Sequence, residues 1–103
     1  MDNLNKIEID KLTKSLNLVW ENEDHILKHK FHFKDYFETI KFINEVADIA
    51  NTQNHHPTMI VDFDRVEVLV TTHEIGNMLT QKDFDLAKAV SYTHLTLPTK
   101  RIV

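Results

Sequence analysis

The chain has 103 residues, 42% of them apolar and 27% charged, with a formal net charge of −4 and no cysteine. That size suits one domain with one core; disulfides and thiolate chemistry are excluded, and the acidic balance lacks the surplus of lysine and arginine that a phosphate backbone demands. No apolar run nears the roughly 18 residues that span a bilayer, and the charged start, Met1 to Lys14, has no signal-peptide hydrophobic stretch, so the expected compartment is the cytoplasm.

The first element is a short amphipathic helix over Ile7 to Leu16, with Ile9, Leu12 and Leu16 at helical spacing. Leu18 to Trp20 reads as a brief strand, and Asn22, Glu23 and Asp24 as a polar turn. From His25 to Phe33 the pattern alternates: Leu27, His29, Phe31 and Phe33 fall on one face, Lys28, Lys30 and His32 on the other. Period two with aromatics predicts a half-buried strand paired with the Trp20 segment. Asp35, with Glu38 three residues on, starts the longest helix, whose stripe is Phe37, Ile40, Ile43, Val46, Ala47 and Ala50, closing near Asn51 or Gln53. Pro57 forces His56 toward extended backbone.

Two alternating runs follow, Met59 to Phe63 and Val66 to Thr71, with Asp64-Arg65 as the predicted turn. Gly76-Asn77 marks a loop. Thr80-Gln81-Lys82-Asp83 has the form of a capping box opening a last helix through Phe84, Leu86, Ala87 and Val90. The order is α-β-β-α-β-β-α, an α+β fold: a four-stranded antiparallel sheet with three helices packed on one face. In so small a protein the other face or a sheet edge is left open, and oligomerisation is the expected cover. Residues 91–103 break the stripe and end without periodicity or turn logic; they read as a non-native read-through tail after a domain of residues 1–90.

The chemistry concentrates in Asn54-His55-His56-Pro57, with His73 and Asp83 further on. Imidazoles move protons near neutral pH, titrating at about 6.5 when unperturbed. If Asp64-Arg65 is the turn, Phe63 faces Val66, Val61 faces Val68, Met59 faces Val70 and His56 faces His73, so three histidines meet at one sheet end. The plain alternative makes each a surface or capping histidine, and Asp83 a helix cap. Zinc is a competing use of three imidazoles. Adjacent histidines rarely share one tetrahedral ion, however, and Glu74 and Asp83 are the available acids. His25 and His29 lie about 13 Å apart at strand rise, too far for one ion, and with His32 read as solvated or half-buried strand residues. Trp20 is by default core, although an indole at a strand end can floor a pocket for a flat heterocycle.

The string Phe31-His32-Phe33-Lys34-Asp35-Tyr36, then Asn54-His55-His56-Pro57, Phe63, Thr72-His73-Glu74, Thr80-Gln81-Lys82-Asp83 and Asp85-Leu86-Ala87, resembles the pterin-4a-carbinolamine dehydratases from about Trp20 to Val90. The resemblance implies dehydration of 4a-hydroxytetrahydropterin to quinonoid dihydropterin, recycling the cofactor of aromatic amino acid hydroxylases. It implies no metal and no organic cofactor, and assembly as a homodimer or homotetramer. Carried over by position, His55, His56 and His73 are the acid–base set. His55, His56 and Pro57, together with Thr72, His73, Glu74 and Ile75, contact the pterin; Trp20 matches a pocket-side tryptophan, and Asp83 supports a histidine. Two positions depart from the family: Asn51 stands where a charged residue is usual, and the loop Glu74 to Leu79 is one residue longer than the common version.

Histidine suits this chemistry, since one imidazolium can protonate the leaving oxygen while a neutral imidazole takes the proton from the adjacent ring nitrogen. His56 and His73 are expected to flank the reacting carbon, with His55 binding or sharing the transfer. The alternatives are a non-catalytic pterin-binding or dimerisation module, of the kind the animal family member provides to a homeodomain transcription factor, and a zinc hydrolase.

Overall fold

The computed structural model describes residues 4–16, 18–73, 76 and 78–96. Helix α1 (Lys6–Lys14) opens on a reciprocal capping box: Asn5 accepts from the Glu8 amide while Glu8 accepts from the Asn5 amide. Ile9 and Leu16 then carry it into the core. Strand β1 is Glu21–Glu23, later than the expected Leu18 to Trp20, and β2 is Ile26–His32. Between them Asp24 and His25 both take positive φ, 52° and 63°. Positive φ at both central residues defines the two-residue hairpin turn whose twist matches the strands, so the turn falls on this pair and pushes β1 beyond Trp20.

Helix α2 (Tyr36–Gln53) starts where expected, with Asp35 accepting from the Glu38 amide at 2.9 Å. Its buried stripe is rotated from the sequence reading. Thr39, Phe42, Val46 and Ala50 face inward, while Phe37 is 73% exposed. Thr39 can be buried because its hydroxyl lies 2.9 Å from the carbonyls of both Asp35 and Phe63. Phe42 then seats against Phe31 and Phe33, with ring centroids 4.9 and 5.0 Å away.

Strands β3 (Thr58–Asp62) and β4 (Arg65–Val70) complete an antiparallel sheet of order β1-β2-β4-β3. The turn between them is Phe63-Asp64, one residue earlier than predicted, so Val61 pairs with Val66 and Met59 with Val68. Arg65 stays in the ladder opposite Asp62, 3.5 Å from its carboxylate, and neighbouring segments hold the turn carbonyls, since the Phe33 amide donates to Asp64 O at 2.8 Å. The register slides by two residues, so every side chain keeps its predicted face. Val66, Val68 and Val70 are buried beneath α2 and α3 with Leu27 and Phe31, and Lys30, Glu67 and Ile60 lie in one row across the opposite face.

Helix α3 (Gln81–Thr96) extends past Val90, where the stripe was expected to break. Ser91 is buried and accepts the Trp20 indole N–H at 2.7 Å, and the His94 ring lies 4.9 Å from Phe31. Residues 97–103 lie outside the described residues.

Candidate active site

The α2 C-terminus sets the first half of the site. Asn54, the C-cap, takes the left-handed conformation (φ 52°, ψ 42°), which asparagine tolerates better than most residues. The chain reverses there, and the His55 amide donates back to the Ala50 carbonyl at 3.1 Å. With Pro57 holding the next step extended, the two adjacent rings part: His55 is buried at 5% exposure and His56 is exposed.

The end of β4 sets the second half. Thr71 and Thr72 are both buried. The Thr71 hydroxyl donates to the His25 carbonyl at 2.8 Å, which ties the β1–β2 turn to this end of the sheet. Thr72 bridges through its backbone to Met78, closing the intervening loop at its base, and His73 is exposed just beyond. Inside that loop the Gly76 amide donates to His73 O at 3.0 Å, with Gly76 at φ +75°, where a side chain would be strained.

Asp83 joins the halves. It is fully buried in the first turn of α3. Its Oδ1 lies 2.6 Å from His55 Nε2, while Oδ2 accepts from the Thr72 hydroxyl and from the Thr80 amide, each at 2.8 Å. Thr80 Oγ1 also lies 2.9 Å from Thr72 Oγ1. An ionised carboxylate can only accept, so against ionised Asp83 the donor of the short contact is His55 Nε2, and a neutral ring then leaves Nδ1 as its acceptor. A buried acid with several donors is well compensated, whereas losing one donor leaves a costly uncompensated group.

One carboxylate thus clamps His55 and Thr72, and the next residues along the chain, His56 and His73, emerge at the same end of the sheet. The strand pairing counted from the sequence is corrected at this end of the sheet. With the corrected register, continuation of the β3–β4 ladder sets His55 opposite Thr72 and Asn54 opposite His73, instead of His56 opposite His73. Asp83 is more than the helix cap of the plain reading. The sequence pattern makes Thr80 a helix cap; its bond to Thr72 crosses the loop between β4 and α3 and has no periodic signal.

The remaining residues separate. Pro57 is half-buried beside the pair, and Glu74 and Ile75 lie outside the described residues. Trp20 is 3% exposed in the core, its indole N–H held by Ser91 two helical turns beyond Asp83. Phe63 is exposed in the β3–β4 turn, at the other end of the hairpin from the histidines. His29 is half-buried, its Nδ1 donating to the Val19 carbonyl at 2.7 Å, and His32 is exposed. The β1–β2 turn falls on Asp24-His25, one residue past the expected Asn22 to Asp24, and pairing that continues from Leu27 opposite Val70 carries it to the site end of the sheet.

Among the described residues no three histidine, aspartate or glutamate side chains are grouped to hold a metal ion. On the β1–β2 hairpin Lys28 holds the Glu23 carboxyl below its usual value, first by a hydrogen bond and then by its charge, and Lys28 is raised in turn.

The sequence pattern of the family described as pterin 4 alpha carbinolamine dehydratase matches residues 2–92. A protein of Nitrosomonas eutropha, provisionally named pterin-4-alpha-carbinolamine dehydratase, is 38% identical over 87 residues, covering 84% of this chain and 76% of that protein. One of the same provisional name from Sulfolobus acidocaldarius is 33% identical over 88 residues, covering 84% and 96%. A crystal structure titled as a transcriptional coactivator/pterin dehydratase from Brucella melitensis has a TM-score of 0.82 at 26% identity, covering 88% of this chain and 97% of that one.

Proposed function

Because the chain belongs to the pterin 4 alpha carbinolamine dehydratase family, we propose that it removes water from a 4a-hydroxytetrahydropterin to give the quinonoid dihydropterin, with histidines as the proton-transfer groups. The C4a–O bond breaks as one imidazolium donates a proton to the leaving oxygen. A neutral imidazole takes the proton from N5, and the N5 electron pair closes the C4a=N5 bond. His56 and His73 carry these two roles, being the exposed members of the trio. Each contributes about 10²–10⁴ in rate if it acts as a general acid or base. His55 is held beneath them and orients the pair. His56, Pro57 and His73 form the open side of the pterin site, with His55 and Thr72 enclosed behind them.

The observation that supports this reading most is the convergence of His55 and Thr72 on one buried carboxylate, which brings the next residues, His56 and His73, to a common end of the sheet. The test follows loss of the carbinolamine absorbance with purified protein and with His73→Gln. A drop of about 10²-fold or more in kcat is expected for the variant, and near-full activity would refute the role of His73.

A second reading, a pterin-binding or coactivator module without catalysis, is favoured by the uncharged Asn51, exposed on the last turn of α2. It predicts saturable pterin binding with no acceleration of carbinolamine loss. A homodimer or homotetramer completes the proposal. Edge strand β3 leaves one side unpaired and carries exposed Ile60 and Val61, with Phe63 beyond them. A monomer mass by light scattering would exclude such an assembly.

A further inference from the structure

We propose that Thr72 is a positioning residue rather than a substrate contact: its hydroxyl holds the Asp83 carboxylate so that Oδ1 meets His55, and thereby sets which His55 nitrogen carries the proton. The inference rests on the dehydratase reading for its kinetic consequence, though not for its effect on His55.

Thr72 is fully buried, so its hydroxyl is not offered to a ligand at the surface. That hydroxyl has a single proton and two oxygen neighbours, Asp83 Oδ2 at 2.8 Å and Thr80 Oγ1 at 2.9 Å. The carboxylate cannot donate, so Thr72 gives its proton to Asp83 and accepts from Thr80. The direction is then set along the whole chain: Thr80 to Thr72, Thr72 to Asp83, and His55 Nε2 to the other carboxylate oxygen. Hydrogen bonds aligned head to tail polarise one another, and burial strengthens each. The Thr80 amide on the same Oδ2 fixes the carboxylate to the start of α3. Rotation of the carboxylate about its own axis is what the Thr72 hydroxyl opposes. Thr72 also immediately precedes His73, so its anchor serves the buried and the exposed halves of the site together.

The experiment compares Thr72→Val, which keeps the shape and loses the hydroxyl, with Thr72→Ser, which keeps the hydroxyl. Kinetic constants for carbinolamine dehydration are measured beside ¹⁵N imidazole spectra of His55, assigned with His55→Gln. For T72V the expected result is a fall in kcat of about 10- to 100-fold, the scale of losing a group that orients a functional histidine, with KM within about twofold. The His55 spectrum moves from a single Nε2–H tautomer to a mixture. T72S returns both readouts to near wild type, and adding T72V to Asp83→Asn produces no further loss, as expected of residues acting through one another. A raised KM with kcat retained would make Thr72 a substrate contact and overturn the proposal. So would an unchanged His55 spectrum in T72V, or a T72S variant as impaired as T72V. Should T72V fail to fold, Thr72→Ala replaces it, with the same expectations. Absence of dehydration in the wild-type protein would sink the dehydratase reading, while the His55 spectra would still decide the role of Thr72.

Discussion

His55 and His56 are covalent neighbours with opposite circumstances. The first is buried, with Nε2 on a carboxylate that is itself fully enclosed, and the second stands at the surface. Alternation of an extended backbone between Asn54 and Pro57 produces the split. A ring with a fixed tautomer and no room to move can orient; a ring at the surface can meet a ligand. The difference teaches that two histidines in a row need not share surroundings, and under the proposed function it assigns orientation to the first and proton transfer to the second.

Substitutions on either side of this divide should therefore have different signatures. Asp83→Ala strikes the buried side and is the largest expected effect. It strands His55, the Thr72 hydroxyl and the Thr80 amide together, and removing one partner of a buried pair costs about 3–5 kcal/mol, read from chemical denaturation. Dehydration should be lost in the same variant even where it remains folded. His56→Gln strikes the exposed side: kcat should fall by about 10²-fold or more, while stability changes by less than about 0.5 kcal/mol, as for ordinary surface substitutions. A His56 variant as unstable as the Asp83 variant would erase the distinction.

The smallest effect is expected at the pivot, Asn54. Replacing it with alanine places a less tolerant residue in the left-handed cap, at about 1 kcal/mol, whereas glycine should be neutral or slightly stabilising. If Asn54→Ala lowered kcat far more than its stability loss accounts for, the reversal at the cap would prove to aim the histidine pair as well as end the helix.

Much of this was legible in the residues. The alternation of Leu27, His29, Phe31 and Phe33, the Asp35 cap, the Pro57 break and the valines of β4 each carry a local signal, and each element formed where that signal lay. The errors share a cause. The inward face of α2 turned because Thr39, polar in the sequence, finds carbonyls for its hydroxyl and can be buried. The β3–β4 turn moved by one residue because its carbonyls serve Phe33 and Thr39 from other parts of the chain. Helix α3 continued to Thr96 because Ser91 and His94 met Trp20 and Phe31, contacts that no window along the chain contains.

By itself the sequence determined the kinds and order of elements, the membership of a pterin dehydratase family and the candidate histidines, since periodicity, capping residues and motif spacing are local properties of the chain. Only the tertiary structure decided which histidine is enclosed, that Thr72 spends its hydroxyl on Asp83, and that Trp20 is held in the core. Burial and hydrogen-bond partnership depend on groups brought together from 11 residues apart in the Thr72–Asp83 bond, 28 in the His55–Asp83 contact and 71 in the Trp20–Ser91 bond, and separations of that length are settled by packing the sheet against its helices.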